Sequence, residues 1–385
     1  RANAAFHADE TAPATSNHIV HLVPSPDQSD ILTYHKADVP EPSGPTMDLT
    51  ATNIVIATGA KPRPLPGNPF AGALIDSTQA LEVNEFPSSA VIIGAGAIAL
   101  EFASMWNAAG SKVTLLIRKD RVLSAWDRRA GTTLTRELKR HGVNIITRAS
   151  VTHVDTGANL GATVHYTCEG QDGEQSVWGE IALVAIGRDP ITDPAWGVTI
   201  DDHGHVATDA YGRTDKPGVW AVGDVTAGHA LAHRAFEQGI VIAETIAGLN
   251  PKPVDEATVP QIVFSFPEAA SVGLTVEQAQ AREDLIEIKE TNYPMLANAR
   301  MLMSGTAGSL TIVSGCDAAN PDTPRVLGVH MVSQMASDII AEAEQLVGNH
   351  VPLADAARLV HPHPTFSETL GEALLKADGR PLHTR

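Results

Sequence analysis

The stretch Val-Ile-Ile-Gly-Ala-Gly-Ala-Ile-Ala-Leu-Glu, from Val91 to Glu101, constrains the fold of this chain more than any other. Its apolar opening reads as a buried strand, its glycines as a turn and its alanine-rich continuation as a helix. Gly94 permits the tight turn, Gly96 lets the backbone approach an anion, and the small Ala99 allows the helix to pack closely on the strand. The helix N-terminal amides are then aimed at a pyrophosphate. A strand that merely meets a helix can carry the same string, so the flanking sequence has to supply the rest.

It does so. The helix expected over Ala97 to Ala109 stops at Gly110, and Lys112 to Ile117 is an apolar run suited to a parallel strand covered on both faces. Asp127 is an expected N-cap, Leu134 and Leu138 give the second helix its buried side, Gly142 ends it, and Val143 to Ile146 forms the third strand. The result is βαβαβ. At the end of the second strand a site for NAD usually presents an acid to the ribose, but this chain has Ile117 followed by Arg118 and Lys119. Two cations there suit a 2′-phosphate, so the expected coenzyme is NADP(H), with NAD(H) as the alternative if both are solvated surface charges.

A chain of 385 residues, 43% of them apolar, can build two or three cores, and no apolar run reaches the length of a membrane span. The formal charge of −18 disfavours nucleic acids and anionic membranes as partners, since both need clustered cations. Only two cysteines occur, Cys168 and Cys316, which fits a reducing, cytoplasmic setting and argues against a disulfide framework or zinc site; both are expected to be free and buried. Ala37 to Pro45 reads as a surface loop.

Four further motifs follow in order: Asn-Ile-Val-Ile-Ala-Thr-Gly-Ala-Lys at Asn53 to Lys61, Leu-Val-Ala-Ile-Gly-Arg-Asp-Pro at Leu183 to Pro190, Val-Trp-Ala-Val-Gly-Asp-Val at Val219 to Val225, and His-Pro-His-Pro-Thr-Phe-Ser-Glu at His361 to Glu368. With the first, they resemble the flavoprotein pyridine nucleotide-disulfide oxidoreductases, the group of dihydrolipoamide dehydrogenase, glutathione reductase and mercuric reductase. The tail is most similar to dihydrolipoamide dehydrogenase. The resemblance implies an α/β architecture, with a Rossmann-type NAD(P) domain inserted in a partial FAD domain and a C-terminal α+β interface domain that makes a homodimer. On that pattern residues 1–80 are the remnant of the first FAD segment, 81–188 the NAD(P) domain, 189–258 the returning FAD segment and 259–385 the interface domain. Short alternating runs such as Ala162 to Tyr166 suggest a small antiparallel meander within the insert.

The same resemblance implies site roles. Thr58, Gly59 and Gly187 fall in glycine turns at strand ends, Gly223 and Asp224 in the second FAD motif, and Leu231, Ala232 and His233 at the start of a helix facing the flavin. Glu101 matches an acid near the nicotinamide carboxamide, although it could equally cap or solvate its helix. His363 and Glu368 are read from chemistry as well. A carboxylate that fixes one imidazole nitrogen leaves the other basic and oriented, which makes a general base for thiols; the bland alternative is a pair of exposed turn histidines between prolines.

The chain departs from the family pattern at two points. It carries no first FAD glycine motif before Val91 and no Cys-x-x-x-x-Cys pair, so that part of the pattern is expected to lie outside this sequence, with weak FAD binding as the consequence. The expected activity is FAD-dependent NAD(P)H:disulfide oxidoreduction on a lipoyl or small-molecule disulfide. The alternatives are a glutathione- or mercuric-reductase-like NADPH enzyme, a non-catalytic nucleotide-binding dimerisation module, and a cysteine-independent diaphorase.

Overall fold

Alternation along the parallel strands decides how the larger unit is layered. In the computed structural model, which describes residues 4–7, 18–22, 47–157 and 161–384, the chain divides into two compact units, Arg1–Lys61 with Asp189–Glu256, and Pro62–Arg188 with Ala257–Arg385. The surface loop expected at 37–45 lies outside the described residues.

In the second unit a five-stranded parallel sheet runs in the order Leu74–Ile75, Ile181–Val184, Ser89–Ile93, Lys112–Leu116, Asn144–Ile146. Ile92, Leu115 and Leu183 point to one face, where they join Leu100 and Trp106 of helix Ala97–Ala108 and Leu134 and Leu138 of helix Arg128–Arg140. Val91, Ile93, Leu116 and Val184 point to the other, against Val164 and Tyr166 of the meander. Both faces are covered, which is why these strands read as unbroken apolar runs. Each fully buried side chain of this size contributes about 1.5–3 kcal/mol.

Local signals set the ends of the elements. The Asp127 carboxylate accepts from the Ala130 amide at 2.8 Å, and Gly110 and Gly142 take φ of +96° and +103° just past the two helices. The expected meander is the three-stranded antiparallel sheet Ala149–Asp155, Ala162–Cys168 and Gln175–Gly179. The parallel sheet also recruits Leu74–Ile75, upstream of residue 80.

The C-terminal part of this unit is a five-stranded antiparallel sheet in the order Gln261–Val263, Glu268–Gly273, Asn320–Ser333, Ser309–Asp317, Leu285–Pro294. Ile339, Ile340, Ala343, Leu346 and Val347 of helix Ala336–Gly348, all buried, share its core with Leu370 and Leu374 of helix Glu368–Ala377. Val263, Ala269 and Val332 of this sheet are embedded in the same apolar cluster as Leu100 and Trp106, and the Ser309 hydroxyl donates to Thr133 of helix Arg128–Arg140 at 3.0 Å. The parallel-sheet layer and the C-terminal sheet are one packed body.

The first unit contains a three-stranded antiparallel sheet of Ala4–His7, His18–Leu22 and Met47–Ala51. Beside it in sequence, Ile54–Ile56 pairs in parallel with Val219–Ala221. Ile56, Trp196, Val206, Val219 and Val225 make its apolar core, and helix Ala232–Ile246 follows. Cys168 is half-buried rather than buried, because it is the last residue of the meander's central strand, while Cys316 is buried; both are free.

Candidate active site

Three groups of side chains emerge, each at a place where backbone polarity or an ion pair is left facing outward. The first lies at the carboxyl ends of the parallel strands in the second unit, where α/β sheets bind ligands. Gly94 follows Ile93 at φ +141°, and a Cβ there would sit 2.2 Å from the Ala185 carbonyl oxygen, so only glycine lets the two strand ends approach. Gly96 is different: a Cβ would meet nothing within 4 Å. It is the N-cap of helix Ala97–Ala108 and makes no side-chain cap bond, so no capping side chain covers the first amides of that helix. Ala99 is completely buried and packs on Gly94, as the tight helix-on-strand contact requires. Gly187, at φ +134°, follows the neighbouring strand Ile181–Val184, and its carbonyl accepts from the Arg63 amide at 3.0 Å.

At the end of the next strand Ile117 turns inward, 1% exposed, into the helix-side core. Arg118 and Lys119 are exposed beside it, and among the described residues neither side chain has an ion-pair or hydrogen-bond partner. An open helix N-terminus next to two unengaged cations fits the phosphates of a pyridine nucleotide. Glu101, one turn along the helix, is half-buried and its carboxylate accepts from the Phe264 amide at 3.0 Å. Burial raises this carboxyl above its ordinary value of 4.5, with the Phe264 amide opposing the shift.

The second group is in the first unit, again past parallel strand ends. Thr58 and Gly59 follow Ile54–Ile56; the Thr58 hydroxyl donates to the Ile191 carbonyl at 2.6 Å, and the Gly59 carbonyl accepts from the Ile191 amide at 2.8 Å. Gly223 and Asp224 begin the turn after Val219–Ala221, with Gly223 at φ +78° and its amide donating to Gln238 at 3.0 Å. That turn packs on helix Ala232–Ile246, whose N-cap Leu231 makes no side-chain cap bond and whose first residues, Ala232 and His233, are exposed. A helix N-terminus without a side-chain cap suits an electron-rich edge of a flavin.

Arg234, unnoticed in the sequence, sets this loop. It is 3% exposed, bonds Glu256 at 2.6 Å and donates to the Ala227 carbonyl, holding the segment before the helix in place.

The third group is the C-terminal pair. His363 Nδ1 lies 2.8 and 3.0 Å from the two Glu368 oxygens, with the imidazole 67% exposed and the carboxylate 16%. Glu368 opens helix Glu368–Ala377, where the dipole favours its negative charge. With Nδ1–H donating to Glu368, Nε2 carries the lone pair outward. The peptide before Pro364 is cis.

His361, expected only as a turn residue, is inside. Its side chain is 8% exposed, Nε2 lies 2.9 Å from Glu342, and the ring sits over Gly371, where any Cβ would meet it at 2.3 Å. The Glu342 hydrogen bond raises its pKa above the ordinary 6.5, against desolvation. A raised folded-state value means the pair stabilises fully below about pH 6.5 and loses that contribution as pH climbs through the raised value. His361→Gln is therefore expected to cost roughly 0.5–1 kcal/mol more at pH 5.5 than at pH 8.5 in urea unfolding. An equal loss at both pH values would refute the pairing as an ionic one.

Comparison with known proteins gives the family. Residues 17–239 match the pyridine nucleotide-disulphide oxidoreductase family and residues 259–374 its dimerisation domain. The dihydrolipoyl dehydrogenase of Cupriavidus necator is 38% identical over 341 residues, covering 87% of this chain and 70% of that protein. One from Bacillus subtilis is 36% identical with the same coverage. Among solved structures, LpdA of Mycobacterium tuberculosis superposes with a TM-score of 0.80 at 25% identity, covering 98% of this chain and 76% of its own. The HOCl-induced flavoprotein disulfide reductase RclA of Escherichia coli gives 0.75 at 26%, covering 86% and 74%. The chain belongs to the pyridine nucleotide-disulphide oxidoreductase family, flavin-dependent oxidoreductases that act on sulfur groups. No helix among the described residues is long and apolar enough to cross a membrane.

Proposed function

We propose that this chain works in the cytoplasm as a homodimeric, FAD- and NADP(H)-dependent disulfide oxidoreductase of the dihydrolipoyl dehydrogenase type, acting on a lipoyl or other small disulfide. The observation that carries the reading is the two-oxygen grip of Glu368 on His363 Nδ1, in a segment matching the family's dimerisation domain. When bound, the two cofactors supply hydride transfer between nicotinamide and flavin. The chain's own residues hold and orient them and move a proton. The uncapped amides after Gly96 would take the pyrophosphate, Arg118 and Lys119 the 2′-phosphate, and Glu101 the carboxamide end. Gly223, Asp224 and the amides opening helix Ala232–Ile246 would hold the flavin, with Thr58, Gly59 and Gly187 lining the strand-end turns.

His363 accepts a proton at Nε2 from a substrate thiol and returns it when the disulfide is reduced, while Glu368 stabilises the imidazolium formed in between. Cys168 and Cys316 lie in different sheets, so they do not form the thiol pair that exchanges with substrate. Steady-state assays of the intact flavin-loaded protein, including the cysteine-pair segment expected outside this sequence, with dihydrolipoamide and with oxidised glutathione test the class. The dihydrolipoamide reaction is expected to be faster, and failure of both substrates would overturn the reading.

Arg118 and Lys119 favour a second possibility for the substrate, since NADPH is the coenzyme of glutathione-reductase-like enzymes. The coenzyme itself is tested by titrating NADPH and NADH fluorescence. Wild type is expected to prefer NADPH, and Arg118→Ala with Lys119→Ala to reduce that preference about 10- to 100-fold, the equivalent of about 1.5–3 kcal/mol for a charged hydrogen bond. Ile117 is best left alone, because a carboxylate placed there would be buried in the core. Preference for NADH in the wild type would return the assignment to NAD(H).

A further inference from the structure

A group of metal-ligating side chains lies on the solvent face of the meander, apart from the residues assigned above. His153 on strand Ala149–Asp155 is the direct cross-strand partner of His165 on strand Ala162–Cys168. Their imidazoles stack at 4.1 Å with an interplanar angle of 8°. Asp155, two residues after His153, stands at one edge of the stack, with Oδ2 3.1 Å from His165 Nε2 and 3.9 Å from His153 Nε2. Glu174 stands at the opposite edge, 3.8 Å from His153 Nδ1 and 3.6 Å from His165 Nδ1.

The backbone produces this grouping by a specific device. The pairing register shifts between Val151 and His153, so Thr152 is an extra residue. Were the ladder regular through Thr152, strict alternation would send His153 and Asp155 to the packing face that Val151 uses and turn Val154 outward. With the shift, Thr152, His153 and Asp155 are all exposed while Val154 still packs inward. Bulges commonly re-aim side chains at functional sites.

We propose that His153, His165 and Asp155 form a binding site for a divalent first-row transition ion such as Zn2+, with Glu174 orienting the imidazoles. One donor atom from each of the three lies within 4.8 Å of the others. A tetrahedral Zn2+ with bonds of about 2.0–2.1 Å needs donors roughly 3.3 Å apart and near the plane of each ring, so the exposed His153 and the half-buried His165 would unstack and turn their Nε2 edges to a shared point. Two imidazoles and a carboxylate leave one position for water. They suit Zn2+, Ni2+ or Cu2+, whereas a carboxylate-only cluster would suit Ca2+ or Mg2+. Glu174, which accepts from the Thr152 hydroxyl at 2.6 Å, lies 3.6–3.8 Å from the two Nδ1 atoms and would accept an Nδ1–H once the rings turn, favouring the tautomer that presents Nε2. The chain's charge of −18 adds a long-range attraction for cations. A metal ion competes with protons for imidazole nitrogen, so acid weakens binding.

Calorimetric titration of the full chain with ZnCl2 in chelator-stripped buffer at pH 7.5 tests the site. Wild type is expected to show one tight site, reversed by EDTA and insensitive to millimolar Mg2+. His153→Ala and His165→Ala are each expected to weaken it at least about 10-fold, and Glu174→Gln less than either. Circular dichroism checks that these surface variants fold. Zn2+ affinity equal in wild type and both histidine variants would place any binding elsewhere and overturn the proposal, as would the absence of a tight site or displacement by Mg2+.

Discussion

His363→Gln in the flavin-loaded enzyme is expected to slow disulfide turnover by about 10²–10⁴-fold, the usual contribution of a positioned acid-base group. Glutamine can still hydrogen-bond the Glu368 carboxylate, held at 2.8 and 3.0 Å from the native imidazole, but it has no basic nitrogen to offer a thiol. Structure and proton chemistry are thereby separated. NADPH affinity and flavin reduction by NADPH should be unchanged, because the variant leaves the glycine turn at Gly94 and its helix intact. Glu368→Gln is expected to have a smaller effect in the same direction, since the imidazole keeps a partner but loses the charge that stabilises its protonated form. Rapid-reaction measurement of the two half-reactions checks the division. Turnover of His363→Gln within about threefold of wild type would remove His363 from the proton pathway.

Gly94→Ala is the change with the largest expected effect on stability. Its Cβ would lie 2.2 Å from the Ala185 oxygen and 2.8 Å from the Ala185 carbon, both backbone atoms of a neighbouring strand end that cannot rotate away, at a φ of +141° that side-chain-bearing residues avoid. A loss of about 2–4 kcal/mol is expected in urea unfolding, together with loss of nucleotide binding as the turn is forced open. Gly96→Ala supplies the contrast. The position has a φ of −90° and open space around the added methyl, so the protein should fold normally while NADPH binds more weakly. Equal stability of Gly94→Ala and wild type would contradict the close strand approach; unchanged NADPH affinity in Gly96→Ala would move the pyrophosphate away from this turn.

Much of the fold was legible because the deciding interactions are local. The run from Val91, the Asp127 cap, the glycines ending both helices and the five-residue spacing of His363 and Glu368 each act within a turn or two of chain. What stayed hidden depends on partners far away in sequence. His361, in a loop, is drawn inward by Glu342 on helix Ala336–Gly348, and Arg234 is held by Glu256 across a loop. The half-burial of Cys168 follows from its place at a strand end. The histidine pair of the meander was invisible for another reason: one extra residue at Thr152 reverses which side chains face solvent, and alternation alone gives the opposite face. Ile117 shows the limit of motif reading, since its position marks where an acid is usual but not that its side chain turns into the core.

Val263, Ala269 and Val332 of the C-terminal sheet lie in one apolar cluster with the helix that opens at the Gly94 turn. Glu101 and Ser104 of that helix also accept the amides of Phe264 and Phe266 at 3.0 and 3.2 Å. Loosening either region therefore exposes the interior of the other, and anything that binds the folded form at the turn stabilises both by mass action. A ligand seated at the glycine turn is thus expected to protect the C-terminal sheet from unfolding although it touches none of that sheet's strands.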